Sequence, residues 1–219
     1  MDKKPRNPYW DQKMGFWKRL GWILNYYNLQ ILVGAALLII FGYILYVNLR
    51  PHRSVILNVM LINGNVTAES DLFDEYLAKA EFDIVENKAN VSNTIQIRFD
   101  GTDQHAYDYY EYVSAQFLSG EIDLYFSDGQ LFTSFANYQA FQDVSQYLTE
   151  EQLERYEDSI LYVTNTETGE QMACGLILPK GTRVCDTYFF DTCYMGLANS
   201  FYHEEESWGV IQQILEELP

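Results

Sequence analysis

Two patterns of apolar residues organise this chain. From Ile31 to Val47 the run ILVGAALLIIFGYILYV holds no charged residue, whereas beyond Ser54 the apolar positions come in short blocks, some continuous and some spaced three or four apart. A helix rises 1.5 Å per residue, so residues 29–49 reach about 30 Å, the thickness of a hydrocarbon core. The run therefore predicts a membrane-spanning helix with lipid as its partner, in which Gly34 and Gly42 are tolerated. A cleaved signal peptide would be shorter and end at a small-residue site, and Asn48-Leu49-Arg50-Pro51 is not such a site. Upstream, Trp10, Met14, Trp17, Leu20, Leu24 and Tyr27 recur at helical spacing. That stripe predicts an interfacial helix within a cytoplasmic segment, residues 1–28, lying on the inner leaflet.

The remainder, residues 50–219, alternates strand and helix signals. Val55–Ile62 reads as a buried strand closed by Asn63-Gly64-Asn65, and Ala68–Ala80 as a helix whose Leu72, Phe73, Tyr76 and Leu77 share a face. Thr94–Phe99 reads as the second strand, Asp108–Leu118 as an aromatic helix, and Ile122–Phe126 as a third strand stopped by Ser127-Asp128-Gly129. Helices over 131–138 and 150–158 follow, then strands over 161–164, 172–178 and 187–197, and a closing helix over 203–218. Such alternation predicts one α/β domain, a three-layer lobe with a mostly parallel sheet between helices.

Charge sharpens the division. Six of the fourteen basic residues and two of the thirty-one acidic ones precede residue 29, leaving eight cations and twenty-nine anions in the body. The basic flank lies before the apolar run, which places the N-terminus in the cytoplasm and the C-terminal domain outside the cell membrane. A net charge of −17 excludes a nucleic-acid partner, because phosphate neutralisation takes Lys and Arg. Cys174, Cys185 and Cys193 form no CxxC pair, so neither a thioredoxin motif nor a zinc spacing is present. An oxidising exterior permits a disulfide, and Cys185 with Cys193 could close two ends of a hairpin, or each could be a small buried apolar residue.

Several stretches resemble a known family. Gly120-Glu121-Ile122-Asp123-Leu124-Tyr125-Phe126-Ser127-Asp128, followed by Phe141-Gln142-Asp143-Val144-Ser145-Gln146-Tyr147-Leu148, resembles extracellular solute-binding proteins of the periplasmic-binding-protein-like type II class. There a G-x-x-D strand leads to a D-L/V-S/T-x-x-L segment. Gly175–Arg183, and Met195-Gly196-Leu197-Ala198-Asn199-Ser200 with the helix after His203, are similar to later parts of the same family. The resemblance implies a two-lobed binding fold, but about 170 residues leave room for one lobe, so a reduced, membrane-anchored relative is expected.

In open α/β sheets ligands sit beyond the carboxyl ends of the strands. The candidate ligand-binding residues are accordingly Asn63, Gly64 and Asn65 after the first strand and Ser127, Asp128 and Gly129 after the third, with Asp100, Gly101 and Thr102 after the second. All of these residue types also make ordinary turns. His52, His105 and His203 stand in no G-x-S-x-G, H-E-x-x-H or P-loop pattern, and the acidic pairs match no calcium loop. No catalysis, metal or cofactor is expected. Two functions fit: a binding or docking module that takes a small-molecule solute and serves a transporter or sensor, or a non-catalytic assembly subunit that contacts a membrane-protein partner in an envelope complex.

Overall fold

The computed structural model describes residues 15, 17, 21, 27–49, 53–68, 71–101, 104–164, 169 and 171–218. Of the expected interfacial stripe only Trp17 and Tyr27 are described, both exposed, and the rest lies outside the described residues, as do Arg50, His52, Thr102 and Asp103. The chain divides into two units, Met1–His52 and Arg53–Pro219.

The first unit contains α1, Asn28–Leu49, with no acidic residue in its first turn and no basic residue in its last. Its apolar side chains face outward on every side, from Leu32 and Leu38 to Ile40 and Tyr43. Counted over the described residues, no helix is long and apolar enough to cross a membrane.

The second unit is built on a single six-stranded mixed sheet. Its elements run β1 (Ser54–Leu61), α2 (Asp71–Lys79), β2 (Asn87–Ser92), α3 (Ala106–Ser119), β3 (Leu124–Ser127), α4 (Gly129–Asn137), α5 (Glu150–Arg155), β4 (Ile160–Thr164), β5 (Gln171–Pro179), α6 (Arg183–Tyr188), β6 (Thr192–Leu197) and α7 (Glu204–Leu215). In space the strands are ordered β2-β1-β3-β6-β5-β4. β1 pairs in parallel with β2 and β3, but β3 with β6, β6 with β5 and β5 with β4 are antiparallel. The sheet is thus mostly antiparallel, correcting the expectation of a mostly parallel one. The reason lies in the last connections. α6 has six residues, about 9 Å, and cannot carry the chain back along the nine-residue β5, about 30 Å. The short link after β4 likewise falls below the dozen residues a parallel crossover needs.

Two further elements differ from the sequence reading. The second strand is Asn87–Ser92, a polar edge strand whose alternation is masked by Asn87, Lys88 and Asn90, a composition suited to a solvent-facing edge. Thr94–Arg98 has no regular secondary structure and joins no ladder, and Phe99 begins a turn. The single strand expected over 187–197 is instead the end of α6 followed by β6, because Val184, Cys185 and Tyr188 bury one helical face. Tertiary burial overrides the weak helix propensity of that segment.

Successive strand residues feed two apolar clusters on opposite faces of the sheet. Leu57, Val59, Leu61, Leu124 and Phe126 meet α2, α6 and α7 on one side. Met60, Ile62 and Tyr125 meet α3 and α4 on the other. Local chemistry sets the helix ends. α2 opens on Asp71 and Asp74 and closes on Lys79, matching its dipole. α3 ends at Gly120 with φ +73°, a left-handed conformation that costs glycine nothing. α5 begins with a Thr149–Gln152 capping box.

Candidate functional site

The carboxyl ends of β1 and β3 are tied by one side chain. Asn63 follows β1 with φ +65°, a region Asn tolerates better than most residues. Its amide oxygen accepts from the Ile97 N–H at 2.6 Å, and its Nδ2 donates to the Ile97 carbonyl at 2.9 Å. The amide therefore pairs with Ile97 as a neighbouring peptide group would, so the segment around Ile97 is held beside β1 without belonging to the sheet. The same Nδ2 donates its second proton to Asp128 Oδ2 at 2.6 Å. Asp128 Oδ1 accepts from the backbone N–H groups of Gln130 and Leu131 at 3.0 and 3.1 Å, capping α4.

Above this pair opens a cleft of about 530 Å³ whose polar lining comes from Asn63, Arg98, Asp100, Asp128 and Gln130, with Ile97, Leu131 and Phe190 as apolar walls. Arg98 is exposed at its lip and enters no ion pair among the described residues. Asp128 keeps free lone pairs, since each carboxylate oxygen can accept more than one hydrogen bond. A guanidinium and a carboxylate in one concave site can orient a small polar solute that carries an anionic group and a donor.

Of the nine residues named from the sequence, Asn63, Asp100 and Asp128 line the cleft, Thr102 lies outside the described residues, and Gly64, Asn65, Gly101, Ser127 and Gly129 shape the turns around it. A Cβ on Gly64 would stand 3.1 Å from the Phe190 ring, so glycine lets that wall approach. Asn65 Oδ1 accepts from Thr67 N and Oγ1 at 3.1 and 2.9 Å, the local turn that Asn commonly makes. Ser127 is buried and its Oγ donates to the Asp128 carbonyl at 3.1 Å. Gly129 starts α4 against the Tyr194 ring, where a Cβ would come to 2.9 Å. Sequence reasoning missed Arg98, Gln130 and Phe190. Arg98 had a signal, as one of eight cations in an acidic body placed just before a turn.

The residues that carry the family resemblance have structural duties. Asp123 is fully buried, and its carboxylate accepts from Asn58 N at 2.7 Å and Tyr202 N at 3.1 Å and contacts His203 Nδ1 at 2.8 Å. Asp143 accepts from Ser145 N and Oγ at 2.9 and 2.6 Å and so starts a short 3₁₀ turn. Phe141 stacks on Phe132 with centroids 4.4 Å apart and lies over Gly196, where a Cβ would meet its ring at 2.6 Å.

Other chemistry is sparse. His105 is exposed beside Asp108. No group of three or more metal-ligating side chains occurs among the described residues. Of the tyrosine cluster, Tyr110 stacks on Phe135 at 4.7 Å while Tyr107, Tyr109 and Tyr112 are exposed. All three cysteines are buried and free. A second, mostly apolar cavity of about 330 Å³ lies between α3 and the end of α4, lined by Tyr110, Phe117, Phe135 and Tyr138. Comparison with protein-family models, with curated proteins and with solved structures gives no match to this chain.

Proposed function

We propose that the chain is a membrane-anchored extracytoplasmic binding module, a single lobe resembling part of a solute-binding protein, that takes a small polar solute in the Arg98–Asp128 cleft. The observation that supports this reading most directly is the cleft itself, placed beyond the carboxyl ends of the parallel pair β1 and β3, where open α/β sheets bind ligands. Arg98 engages an anionic group of the solute and Asp128 a donor, with the Asn63 amide fixing the carboxylate's orientation. In this reading the role is capture of the solute or its presentation to a transporter or sensor. The anchor in this reading is the segment of α1, drawn from a run without charge.

The test uses the full chain in detergent, titrated by calorimetry with amino acids, dicarboxylates and neutral sugars. A carboxylate-bearing solute binds the parent, and Arg98→Gln weakens it at least about tenfold while leaving the melting temperature unchanged, because Arg98 is exposed and makes no ion pair among the described residues. A panel without any heat of binding, or a solute that binds Arg98→Gln as tightly, overturns the reading. The assembly-subunit alternative is favoured by a different observation: Leu118, Tyr138 and Tyr202 are 87%, 76% and 75% exposed. Under that reading, a stoichiometric membrane-protein partner co-purifies and Leu118→Glu releases it.

A further inference from the structure

The connection between β5 and β6 brings two cysteines together. Cys185 lies in α6 and Cys193 near the start of β6. In the antiparallel register Cys193 stands opposite Leu178, and the Cys185 thiol donates to the Leu178 carbonyl at 3.2 Å. The sulfur of Cys185 is thereby held over the strand position that faces Cys193. The Cys193 side chain is the first influence on the Cys185 thiol, whose pKa it lowers. The Cys193 thiol itself donates to the Tyr194 carbonyl at 3.9 Å. Cys174 belongs to the opposite apolar cluster, where its thiol donates to the Leu161 carbonyl at 3.4 Å.

The segment between the paired cysteines forms part of the cleft. Phe190 N donates to the Cys185 carbonyl at 2.9 Å, and the Tyr188 carbonyl accepts from Asn65 N at 2.8 Å. Phe189 between them has φ +60° and is 78% exposed, while the Phe190 ring lines the cleft. We infer that Cys185 and Cys193 are a redox pair that closes to a disulfide by exchange with a low-molecular-weight disulfide, and that closure fixes the Phe190 wall.

The exchange runs in two steps. The Cys185 thiolate attacks one sulfur of the external disulfide, whose S–S bond breaks and releases one thiolate. Cys193 then loses its proton and attacks the Cys185 sulfur, breaking the mixed disulfide and releasing the second thiolate. The protein dithiol is oxidised, the external disulfide is reduced to two thiols, and the two protons end on those thiols. The neighbouring Cys193 side chain lowers the Cys185 thiol to about 7, whereas burial raises Cys193. Cys185 is accordingly the attacking sulfur. Both are fully buried, so exchange requires α6, only six residues long, to open. The pairing holds whatever the cleft binds.

The full chain in detergent is equilibrated with oxidised or reduced glutathione in urea below the unfolding transition, acid-quenched, denatured and alkylated with iodoacetamide. Under oxidised glutathione, mass spectrometry finds only Cys174 alkylated and one cross-linked peptide pair joining Cys185 to Cys193, retained in Cys174→Ser. In oxidised protein returned to buffer, the Phe190 amide exchanges its hydrogen several-fold more slowly than in reduced protein. Three alkylated cysteines after oxidation, or a cross-link that includes Cys174, overturns the pairing. Equal Phe190 exchange in the two redox states overturns its effect on the cleft wall.

Discussion

Asp123 Oδ2 and His203 Nδ1 lie 2.8 Å apart across eighty positions of sequence. The carboxylate has no exposed surface, and it also accepts from Asn58 N in β1 and from Tyr202 N in the loop before α7. One side chain thus joins β1, the turn into β3 and the entry to α7. Asp123→Ala leaves two or more backbone N–H groups without an acceptor, and each such group costs about 1–3 kcal/mol. A loss of roughly 2–4 kcal/mol in urea unfolding is expected, with His203→Ala costing less because its ring is partly exposed.

The Asn63 amide is the partner that the 94–99 segment lacks in the sheet. Asn63→Ala removes both hydrogen bonds to Ile97 and the one to Asp128. Hydrogen exchange at the Ile97 amide should therefore accelerate toward that of a locally open loop, with a stability loss of about 1–3 kcal/mol. Asp128→Ala removes the α4 cap at a cost of about 0.5–2 kcal/mol, yet it leaves the two Asn63–Ile97 bonds in place. Amide exchange at Ile97 and Leu131 in both variants distinguishes them. Unchanged Ile97 exchange in Asn63→Ala would show that the segment is held by something else.

Much of this architecture is legible in the chain because apolar blocks and turn residues report local structure. Val55–Ile62 reads as a strand from its β-branched run, and the 71–79 helix from the spacing of Leu72, Phe73, Tyr76 and Leu77. What is illegible depends on neighbours distant in sequence. The edge strand β2 is read only by its pairing with β1, since NKANVS has no strand pattern. Thr94–Phe99 has that pattern but meets a side chain instead of a strand. The antiparallel half follows from the shortness of α6, which the β-branched and aromatic letters of Arg183–Tyr188 conceal. At the site, Asn63 and Asp128 are foreseeable as strand-end residues. Arg98 and Phe190 enter the cleft through segments whose course no local pattern gives.

Gly175 sits where β5 and β6 leave no room. A Cβ there would approach the Met195 carbonyl oxygen to 2.3 Å and the Phe132 ring to 2.6 Å, and the first of these is paired backbone that cannot step aside. Gly175→Ala should cost about 1–3 kcal/mol or more through overpacking. At Gly196 the nearest atoms to such a Cβ belong to the Phe141 ring, a side chain stacked on Phe132, and Gly196→Ala is expected to cost less. Chemical denaturation of the two variants checks the order, and a Gly175→Ala variant as stable as the parent would contradict the β5–β6 register.

The membrane reading of α1 makes a prediction on each side of the helix. Six basic residues precede it against Arg50 and Arg53 after it, so an alkaline phosphatase fused behind Pro219 should be active outside the cytoplasm. The apolar side chains of α1 face outward, which in water would be an aggregation surface and in lipid is a matched one. Leu37 and Leu38 lie near its middle. Changing both to Lys adds about 2.5–3.5 kcal/mol each to insertion at a helix centre. That is enough to move the chain from the carbonate-resistant membrane pellet to the soluble or aggregated fraction. The conservative Leu37→Ile with Leu38→Ile should stay in the pellet. A parent chain extracted by carbonate, or a fusion active only in the cytoplasm, would remove the anchor and with it the extracytoplasmic placement of the cleft.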